Sequence, residues 1–315
     1  MNKGFIMSDI VTSPISDKFV DGGLLITSTG PSNTSLDIFD FAEIIEYFEK
    51  YGLIVFRNFN LTPDTVKSFT DQYTSQYAHD APRRETKFNS KVIKGVDAGC
   101  EEIKLHSEAS FAPIWPEILW FYCKTPPPSN TGQTTVLDGS KLWQVLPSKI
   151  KSFFMSSPVL YELIVPVKAK IKNKSKQSWP AKHIGTKDIF VDWDNGEMHF
   201  KQMRFAVNLN RDGKSYSFCN HLIVDFKSEP QLVSREFLFS EDQNEEKEIL
   251  DEVNRLSDEL KYQHSWHKND FIMLDNKRFM HGRVSFDSKI ERDISQIQTN
   301  IASFSYGQSS RTKGK

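Results

Sequence analysis

Two spacings of apolar residues alternate along the chain, and the helical spacing comes first. Apolar side chains recur every three or four residues after Asp37, which predicts a helix capped there and ended at Gly52. The positions that define its apolar face are Ile38, Phe41, Ile44, Ile45 and Phe48. Thr62 followed by Pro63 predicts the start of a second helix, which should run to about Tyr77.

Two further helices are predicted downstream. A short one spans Pro147 to Phe154, and a long one follows a cap at Ser240 and spans about 241 to 262. The long helix carries one apolar face, formed by Ile249, Leu250, Val253, Leu256 and Leu260.

Short apolar runs bounded by Gly, Pro or polar residues predict the strands. They lie at 53–57, 118–123, 132–138, 205–209 and 216–218, and strands return from Trp266 onward. Residues 80–104 are polar and charged and are predicted to form a loop. Helices first, then many short strands interrupted by one long helix, indicate a mainly β fold with flanking helices. We predict a double-stranded β-helix, or jelly roll.

Composition excludes several classes of protein. The formal net charge of −1 gives no bulk field that would attract nucleic acid or a membrane surface. Three cysteines are an odd, sparse set that fits a reducing cytosol better than a disulfide framework. No apolar run reaches the length of a membrane helix, and Met1 to Ile10 lack the apolar stretch of a secretory signal. We therefore expect a cytoplasmic protein that binds neither nucleic acid nor membranes.

Candidate chemistry lies in two distant stretches, His106-Ser107-Glu108 and the segment around His281. On a strand, side chains two residues apart share a face, so His106 and Glu108 would present an imidazole beside a carboxylate. His281 would add a second imidazole. Two histidines and one carboxylate with open positions opposite are the ligands of non-haem iron(II) oxygenases. The pair alone is weak evidence, because composition of this kind produces a His-x-acid pair about once by chance, and a salt-bridged surface pair explains it equally well.

Other site chemistries compete for the same residues. A zinc hydrolase would use His106, Glu108 and a further Cys or His, with Cys100 or the Cys219-x-His221 pair as candidates. Neither candidate has a second thiol at finger-like spacing, which favours an ordinary surface or core role. The chain has no G-x-S-x-G elbow for a nucleophilic serine.

The surrounding residues form a recognisable combination. The C-terminal part contains, in order, Trp266-x-x-x-Asp270, Asp275-Asn276, His281-Gly282-Arg283 and Arg292. The N-terminal part contains His106-Ser107-Glu108, the run Trp120-Phe121-Tyr122-Cys123 and Gly132-Gln133-Thr134. Over roughly residues 40–305 the chain resembles the taurine dioxygenase (TauD/TfdA) superfamily. Glu108, where Asp is commoner, is similar to the clavaminate-synthase-like branch, whereas the protein-directed oxygenases of the JmjC kind lack this signature.

The resemblance implies an iron(II)- and 2-oxoglutarate-dependent dioxygenase on a double-stranded β-helix. It implies that His106, Glu108 and His281 are the iron ligands, and that Arg292 and Thr134 bind the 2-oxoglutarate carboxylate.

The residue types agree with the roles that the resemblance implies for 2-oxoglutarate. A guanidinium holds a carboxylate through two parallel hydrogen bonds, although without the family Arg292 reads as a surface arginine. Thr134 is equally compatible with a plain strand residue. Arg283 shares the strand face of His281 and is expected to reach 2-oxoglutarate or the substrate, or else to pair with an acid.

Neighbouring residues are expected to be structural. Asp275 and Asn276 should shape the turn before His281 through side-chain to backbone hydrogen bonds. Trp266 is expected in the core rather than against a substrate.

The expected reaction consumes dioxygen and 2-oxoglutarate, releases succinate and carbon dioxide, and hydroxylates an unactivated C–H bond of a small metabolite such as an amino acid or its derivative. Desaturation and ring formation stay open, whereas Glu108 speaks against halogenation, because halogenases of this family lack the carboxylate ligand. The alternatives are an oxygenase for a carrier-protein-tethered substrate in natural-product biosynthesis and a non-catalytic metal-binding jelly-roll module. Alternating lysines at 168–176 suggest an anionic partner, either an acidic carrier protein or a phosphorylated substrate, or else only a solvated loop or an edge strand that lysines protect against pairing.

We predict one oxygenase domain over residues 1–315. Its parts are a lead-in at 1–20, N-terminal helices and a strand at 21–100, a jelly-roll core with an inserted lid and helix at 101–305, and a tail at 306–315.

Overall fold

The structure of the chain is a computed structural model. It describes residues 9–17, 22–31, 34–78, 84–96, 99–112, 114–166, 189–194, 197–223, 232–237 and 242–305. The α-helices of this part of the chain are α1 Phe41–Tyr51, α2 Pro63–Tyr73, α3 Gly139–Val145, α4 Ser148–Ser156 and α5 Gln243–Leu260.

The strands outnumber the helices and are mostly short. Those before α3 are β1 Ile10–Pro14, β2 Leu24–Ser28, β3 Leu53–Arg57, β4 Thr74–Tyr77, β5 Lys94–Gly95, β6 Ile103–His106, β7 Ile118–Thr125 and β8 Thr134–Asp138. Those between α4 and α5 are β9 Val159–Pro166, β10 Ile189–Asp194, β11 Glu197–Arg204, β12 Val207–Leu209, β13 Tyr216–Phe218 and β14 Leu232–Phe237. Those after α5 are β15 Tyr262–His264, β16 Phe271–Asp275, β17 Phe279–Arg283 and β18 Asp293–Ala302.

Two sheets carry the site. The larger has the order β1-β2-β3-β16-β7-β18-β4, with β5 also pairing with β18, and the smaller has the order β15-β8-β17-β6. All of their pairs are antiparallel except β2 with β3. A further sheet, β10-β11-β9-β14, and the β12-β13 pair lie outside these two. The mainly β, jelly-roll architecture is therefore confirmed.

Alternation along the strands explains the layers. On β7, Leu119 and Phe121 face a core shared with the smaller sheet, while Trp120 and Tyr122 face a core shared with α1 and α2. On β17, Met280 faces a third core built with α3, α4 and α5. Both faces of each sheet are thus covered, which is why these strands read as continuous apolar runs.

Several element boundaries differ from the predictions. The N-cap of the first helix is Asp40 rather than Asp37, because Asp37 belongs to a separate 3-10 helix, Leu36–Ile38, that is capped by Ser35. The predicted second helix is wrong beyond Tyr73: Thr74–Tyr77 is β4, which pairs with β18 and gains ladder hydrogen bonds that a longer helix would forgo.

Other differences concern the middle of the chain. Sequence patterns missed α3, which follows β8 directly and is capped by Asp138. The predicted loop 80–104 contains β5 and the start of β6. The long helix begins at Gln243 with Asp242 as its cap, whereas Ser240 and the lysines at 168–176 lie outside the described residues. Trp266 is buried in the core between the two main sheets, as predicted.

Gly282 on β17 allows the close contact between β17 and β6 in the smaller sheet. A Cβ there would lie 2.3 Å from the Ile103 carbonyl oxygen and 2.7 Å from Thr135 Oγ1. The register between β17 and β6 shifts at this point, between the pairs His281–His106 and Arg283–Ile103. Only glycine leaves room for this contact, which holds the two histidine-bearing strands together.

Among the described helices, none is both long enough and apolar enough to cross a membrane. The cytoplasmic location stays a prediction.

Candidate metal centre

A cavity opens between the two main sheets, and most of its lining comes from strands of both. The smaller sheet supplies side chains from β6, β8 and β17, and the larger sheet supplies them from β7 and β18. The lining residues are Arg84, Val96, Ile103, His106, Glu108, Phe121, Thr134, His281, Gly282, Arg283, Arg292 and Gln296. Every residue predicted for the site therefore reaches this one cavity.

The two imidazoles meet through strand pairing. His106 on β6 lies directly opposite His281 on β17, and their ring centroids are 4.5 Å apart. Nδ1 of His106 lies 2.9 Å from the Lys104 carbonyl oxygen. Because a carbonyl only accepts, this contact favours the tautomer with the proton on Nδ1, which leaves Nε2 as the nitrogen that faces Glu108. The ring is thereby held in the tautomer that a metal ligand needs.

Glu108 completes the cluster. Its Oε2 lies 3.8 Å from Nε2 of His106 and 3.9 Å from Nε2 of His281. One ligand atom from each of the three residues falls within 4.8 Å of the others, and no other group of three such residues forms a cluster within the described ranges. Residues 173 positions apart in the chain (281 − 108) thus share one small volume.

The prediction that Glu108 lies on the same strand as His106 is wrong. β6 ends at His106, and Glu108 sits in a turn before Ala109, whose φ is +52°. The amide N–H of Ser107 donates to the Asn220 carbonyl oxygen at 2.8 Å, which draws the backbone out of the strand direction. The Glu108 carboxylate nevertheless points toward His106, because a second set of hydrogen bonds fixes the backbone of this turn.

That second hold is the side chain of Asn276, in the turn between β16 and β17. Its Oδ1 accepts the Glu108 amide N–H at 2.9 Å, and its Nδ2 donates to the carbonyl oxygens of Glu108 and Pro116, each at 2.9 Å. Asp275 acts as predicted, accepting the Lys277 amide N–H at 3.0 Å. Asn276 does more than shape its own turn, since it fixes the backbone of Glu108.

We expect Asn276→Ala to lower the free energy of unfolding by about 3 kcal/mol, because three buried backbone groups lose their partner. Urea unfolding measures this loss. Asn276→Asp keeps the acceptor oxygen but loses the amide donor group. Its free energy of unfolding should lie between those of wild type and Asn276→Ala. Asn254→Ala, an exposed position on α5, is the matched control and should stay within about 0.5 kcal/mol of wild type. Equal stability of Asn276→Ala and Asn254→Ala would contradict the clamp.

The charge states suit a divalent cation. Burial raises the pKa of Glu108, but Arg84, His106 and His281 together outweigh it and hold that pKa well below its usual value. Burial, together with neighbouring His106, lowers the pKa of His281 well below its usual value. Near neutral pH the centre therefore offers an ionised carboxylate and an unprotonated His281 imidazole.

Two further side chains hold the carboxylate. Arg84 places one guanidinium nitrogen 3.2 Å from Oε1 and 3.3 Å from Oε2 of Glu108. Gln298, on β18, donates from Nε2 to Oε1 at 2.9 Å. Neither role was predicted. No local signal marks Gln298, because β18 carries several other polar residues.

The predicted 2-oxoglutarate residues also lie together. Nε of Arg292 donates to the Gly132 carbonyl oxygen at 2.9 Å, and its Nη2 lies 3.4 Å from Thr134 Oγ1. Gly132 adopts φ +56°, and a Cβ there would lie 3.2 Å from Arg292 Cδ. Glycine thus gives the turn both its backbone conformation and the space for the arginine.

Burial and the nearby Arg283 guanidinium lower the pKa of Arg292 to about 10. Arg283 donates from Nη2 to the Glu101 carbonyl oxygen at 2.9 Å. The positive charges of Arg283 and Arg292 therefore repel each other within the cavity, and a bound anion would stabilise the pair.

Within the described residues, neither Cys100 nor the Cys219-x-His221 pair joins His106 and Glu108 as the zinc alternative requires. Sγ of Cys219 is buried and contacts the carbonyl oxygens of Asn276 and Phe279, each at 3.4 Å. Burial raises the pKa of its thiol well above the usual value, so it is a poor thiolate ligand. His221 packs against Phe111 and lies outside the ligand cluster.

The donor set fits a divalent transition metal such as iron(II). Two imidazole nitrogens and one carboxylate oxygen converge from one side, and the cavity lies beyond them. A jelly roll with this centre defines the class of mononuclear-metal oxygenases. The chain belongs to the TauD/TfdA family, because the model of the family described as "Taurine catabolism dioxygenase TauD, TfdA family" matches residues 25–298. The prediction that this protein is an iron(II)- and 2-oxoglutarate-dependent dioxygenase is confirmed at the level of the family.

Solved structures share the fold at low sequence identity. A taurine dioxygenase from Burkholderia xenovorans is 13% identical, with 93% of this chain and 91% of that chain covered and a TM-score of 0.62. PvcB from Pseudomonas aeruginosa is 14% identical, with 95% and 94% covered and a TM-score of 0.59. AAD-2, in complex with Mn(II) and N-oxalylglycine, is 16% identical, with 93% and 97% covered and a TM-score of 0.57. A search of curated proteins returned no match.

Proposed function

We propose that this protein oxidises a small metabolite at an unactivated C–H bond, with His106, Glu108 and His281 holding iron(II) and Arg292 with Thr134 holding 2-oxoglutarate. The observation that carries the proposal is the convergence of the three ligand atoms within 4.8 Å, in the same cavity as the Arg292–Thr134 pair. A bound iron(II) would activate dioxygen while 2-oxoglutarate is converted to succinate and carbon dioxide.

The chain's own part is to bind and orient. Thr134 Oγ1 accepts the indole N–H of Trp266 at 3.1 Å and lies 3.4 Å from Arg292 Nη2. With both nitrogens donating to it, its own O–H hydrogen is available for a carboxylate oxygen. Arg292 then adds a charge-assisted donor to the same carboxylate. Arg283 adds positive charge beside Arg292, which favours a dianionic co-substrate.

The surroundings also keep the centre dry. Phe121 places its ring edge-on to His281 at 5.3 Å, and Val96 and Ile103 add apolar surface. Exclusion of water strengthens the electrostatic contacts and protects reactive species from side reactions.

Hydroxylation is the outcome we propose for the substrate carbon, since Glu108 fills the position that would otherwise be open to a halide. An amino acid or amino-acid derivative is the substrate class proposed from the clavaminate-synthase-like resemblance. PvcB, an iron and α-ketoglutarate dependent oxygenase from an isonitrile synthetic pathway, shows that this fold serves biosynthetic chemistry. An acidic carrier protein as partner stays a prediction, because the lysines at 168–176 that suggest it lie outside the described residues.

The test is a screen for succinate release with added iron(II), 2-oxoglutarate and dioxygen, across amino acids and their carrier-tethered forms. We expect iron-dependent succinate that rises with one group of compounds, together with a product heavier by one oxygen atom. Absence of iron-dependent succinate, with and without every compound, would favour the non-catalytic module.

A further inference from the structure

We propose that the primary substrate is a carboxylate, held in this cavity by Arg84 and by the side-chain amide of Gln296. The inference rests on the function proposed above and deepens it by naming the substrate's chemical class. It follows from the charge of the cavity, from what Arg84 already binds, and from one buried donor.

The cavity carries more positive charge than its proposed cofactors neutralise. Among the described lining residues, three carry guanidinium groups, Arg84, Arg283 and Arg292, and one carries a carboxylate, Glu108. A divalent cation and a dianionic 2-oxoglutarate cancel each other, so both can bind without changing this excess of two positive charges. A substrate with an anionic group reduces the excess, whereas a neutral or cationic one leaves or increases it.

Arg84 already displays the contact that such a substrate would make. One of its guanidinium nitrogens is nearly equidistant from the two oxygens of Glu108, at 3.2 and 3.3 Å. This ion pair shows that the Arg84 guanidinium can bind a carboxylate at this edge of the cavity. A divalent cation held by Glu108 would weaken the attraction between Glu108 and Arg84, and the guanidinium could then donate hydrogen bonds to a second anion beside the metal.

Gln296 supplies the second donor. It is only 3% exposed, lines the cavity, and its Nε2 has no hydrogen-bond partner among the described residues. Burying an amide without a partner is costly, and such groups in native proteins call for a ligand or a water. Gln296 shares the inward face of β18 with Ile294 and Gln298, because side chains two apart point the same way.

Its position separates it from the 2-oxoglutarate residues. Gln296 lies opposite Phe121, whose ring contacts His281, whereas Arg292 precedes β18 and contacts Gly132 and Thr134. Four residues of extended chain span roughly 13 Å. The amide therefore faces the part of the cavity beside the metal ligands, where the carbon to be oxidised must lie.

Binding to the full-length, manganese(II)-loaded protein tests this. Isothermal titration calorimetry would compare free L-amino acids, N-acetyl-L-amino acids and hexanoic acid, each beside its own primary amide, with and without N-oxalylglycine. We expect at least one acid to bind ten times more tightly than its amide, since a hydrogen bond to a charged group carries at least that much.

Four variants locate the contact. Arg84→Gln should remove most of the preference for the acid, and Arg84→Lys should keep part of it. Gln296→Leu should weaken binding of the acid several-fold. Gln296→Glu, whose side chain is nearly equal in size to the native one, should weaken this binding further. Arg255→Gln, on the exposed face of α5, makes the same change away from the cavity and should match wild type.

The proposal is overturned if no acid is preferred over its amide, or if Arg84→Gln keeps the full preference. An unchanged affinity in both Gln296 variants removes that residue from the site. The difference in affinity between each acid and its amide can be measured whether or not N-oxalylglycine binds, so it tests the substrate class independently of 2-oxoglutarate. Failure of N-oxalylglycine to bind would instead count against the proposed use of 2-oxoglutarate.

Discussion

His106→Ala should lose bound iron and turnover together. The variant removes the imidazole whose Nε2 faces both other ligands, and the remaining histidine and carboxylate hold a divalent cation too weakly to survive purification. Elemental analysis should fall from about one iron per chain to background, and iron-dependent succinate release should fall with it.

The matched control is His267→Ala. His267 is an exposed histidine outside the ligand cluster, so its loss should leave iron content and turnover at wild-type values. Urea unfolding of both variants separates metal loss from misfolding. A folded His106→Ala protein that retains a full complement of iron would refute the ligand assignment.

Arg292→Lys should weaken 2-oxoglutarate binding by about a hundredfold while metal affinity stays near wild type. An ammonium is a point charge and cannot reproduce the parallel donors of a guanidinium, and loss of one charged hydrogen bond costs about 1.5–3 kcal/mol. Buried beside Arg283, a lysine in this place would also lose its proton more readily than the arginine, whose pKa is about 10. The measurement is the dissociation constant of 2-oxoglutarate on the manganese(II)-loaded protein.

Arg255→Lys is the control for this change. Arg255 is exposed on α5, pairs with Glu252 and Glu259, and does not line the cavity. Unaltered 2-oxoglutarate affinity in Arg292→Lys would transfer the carboxylate-binding role to another group, with Arg283 the first candidate because it lines the same cavity.

The sequence predicted the fold well where a local pattern determines the structure. Helix α1, strand β3 and strand β7 follow from apolar spacing, since each buries a face that the pattern already displays. Strand β4 could not be predicted this way. Its four residues, Thr-Ser-Gln-Tyr, have no apolar pattern, and their conformation depends on pairing with β18, more than 200 residues away.

The same distinction holds for the site. His106, Glu108 and His281 could be proposed as ligands because their residue types carry the chemistry, although Glu108 lies beyond the end of the strand on which it was predicted. Arg84, Gln296 and Gln298 were missed because nothing in their immediate sequence marks them. Their roles arise only when β18 and the residues before β6 are brought against the same cavity.

The turn that carries Asn276 lies five residues before His281, on the hairpin of β16 and β17. This hairpin thus positions two of the three proposed ligands: His281 directly, and Glu108 through the side-chain amide of Asn276. Flexing of that hairpin would shift both donors in concert instead of pulling them apart. The relative placement of Glu108 and His281 therefore depends on one supersecondary unit, even though 173 positions (281 − 108) separate the two residues in the chain.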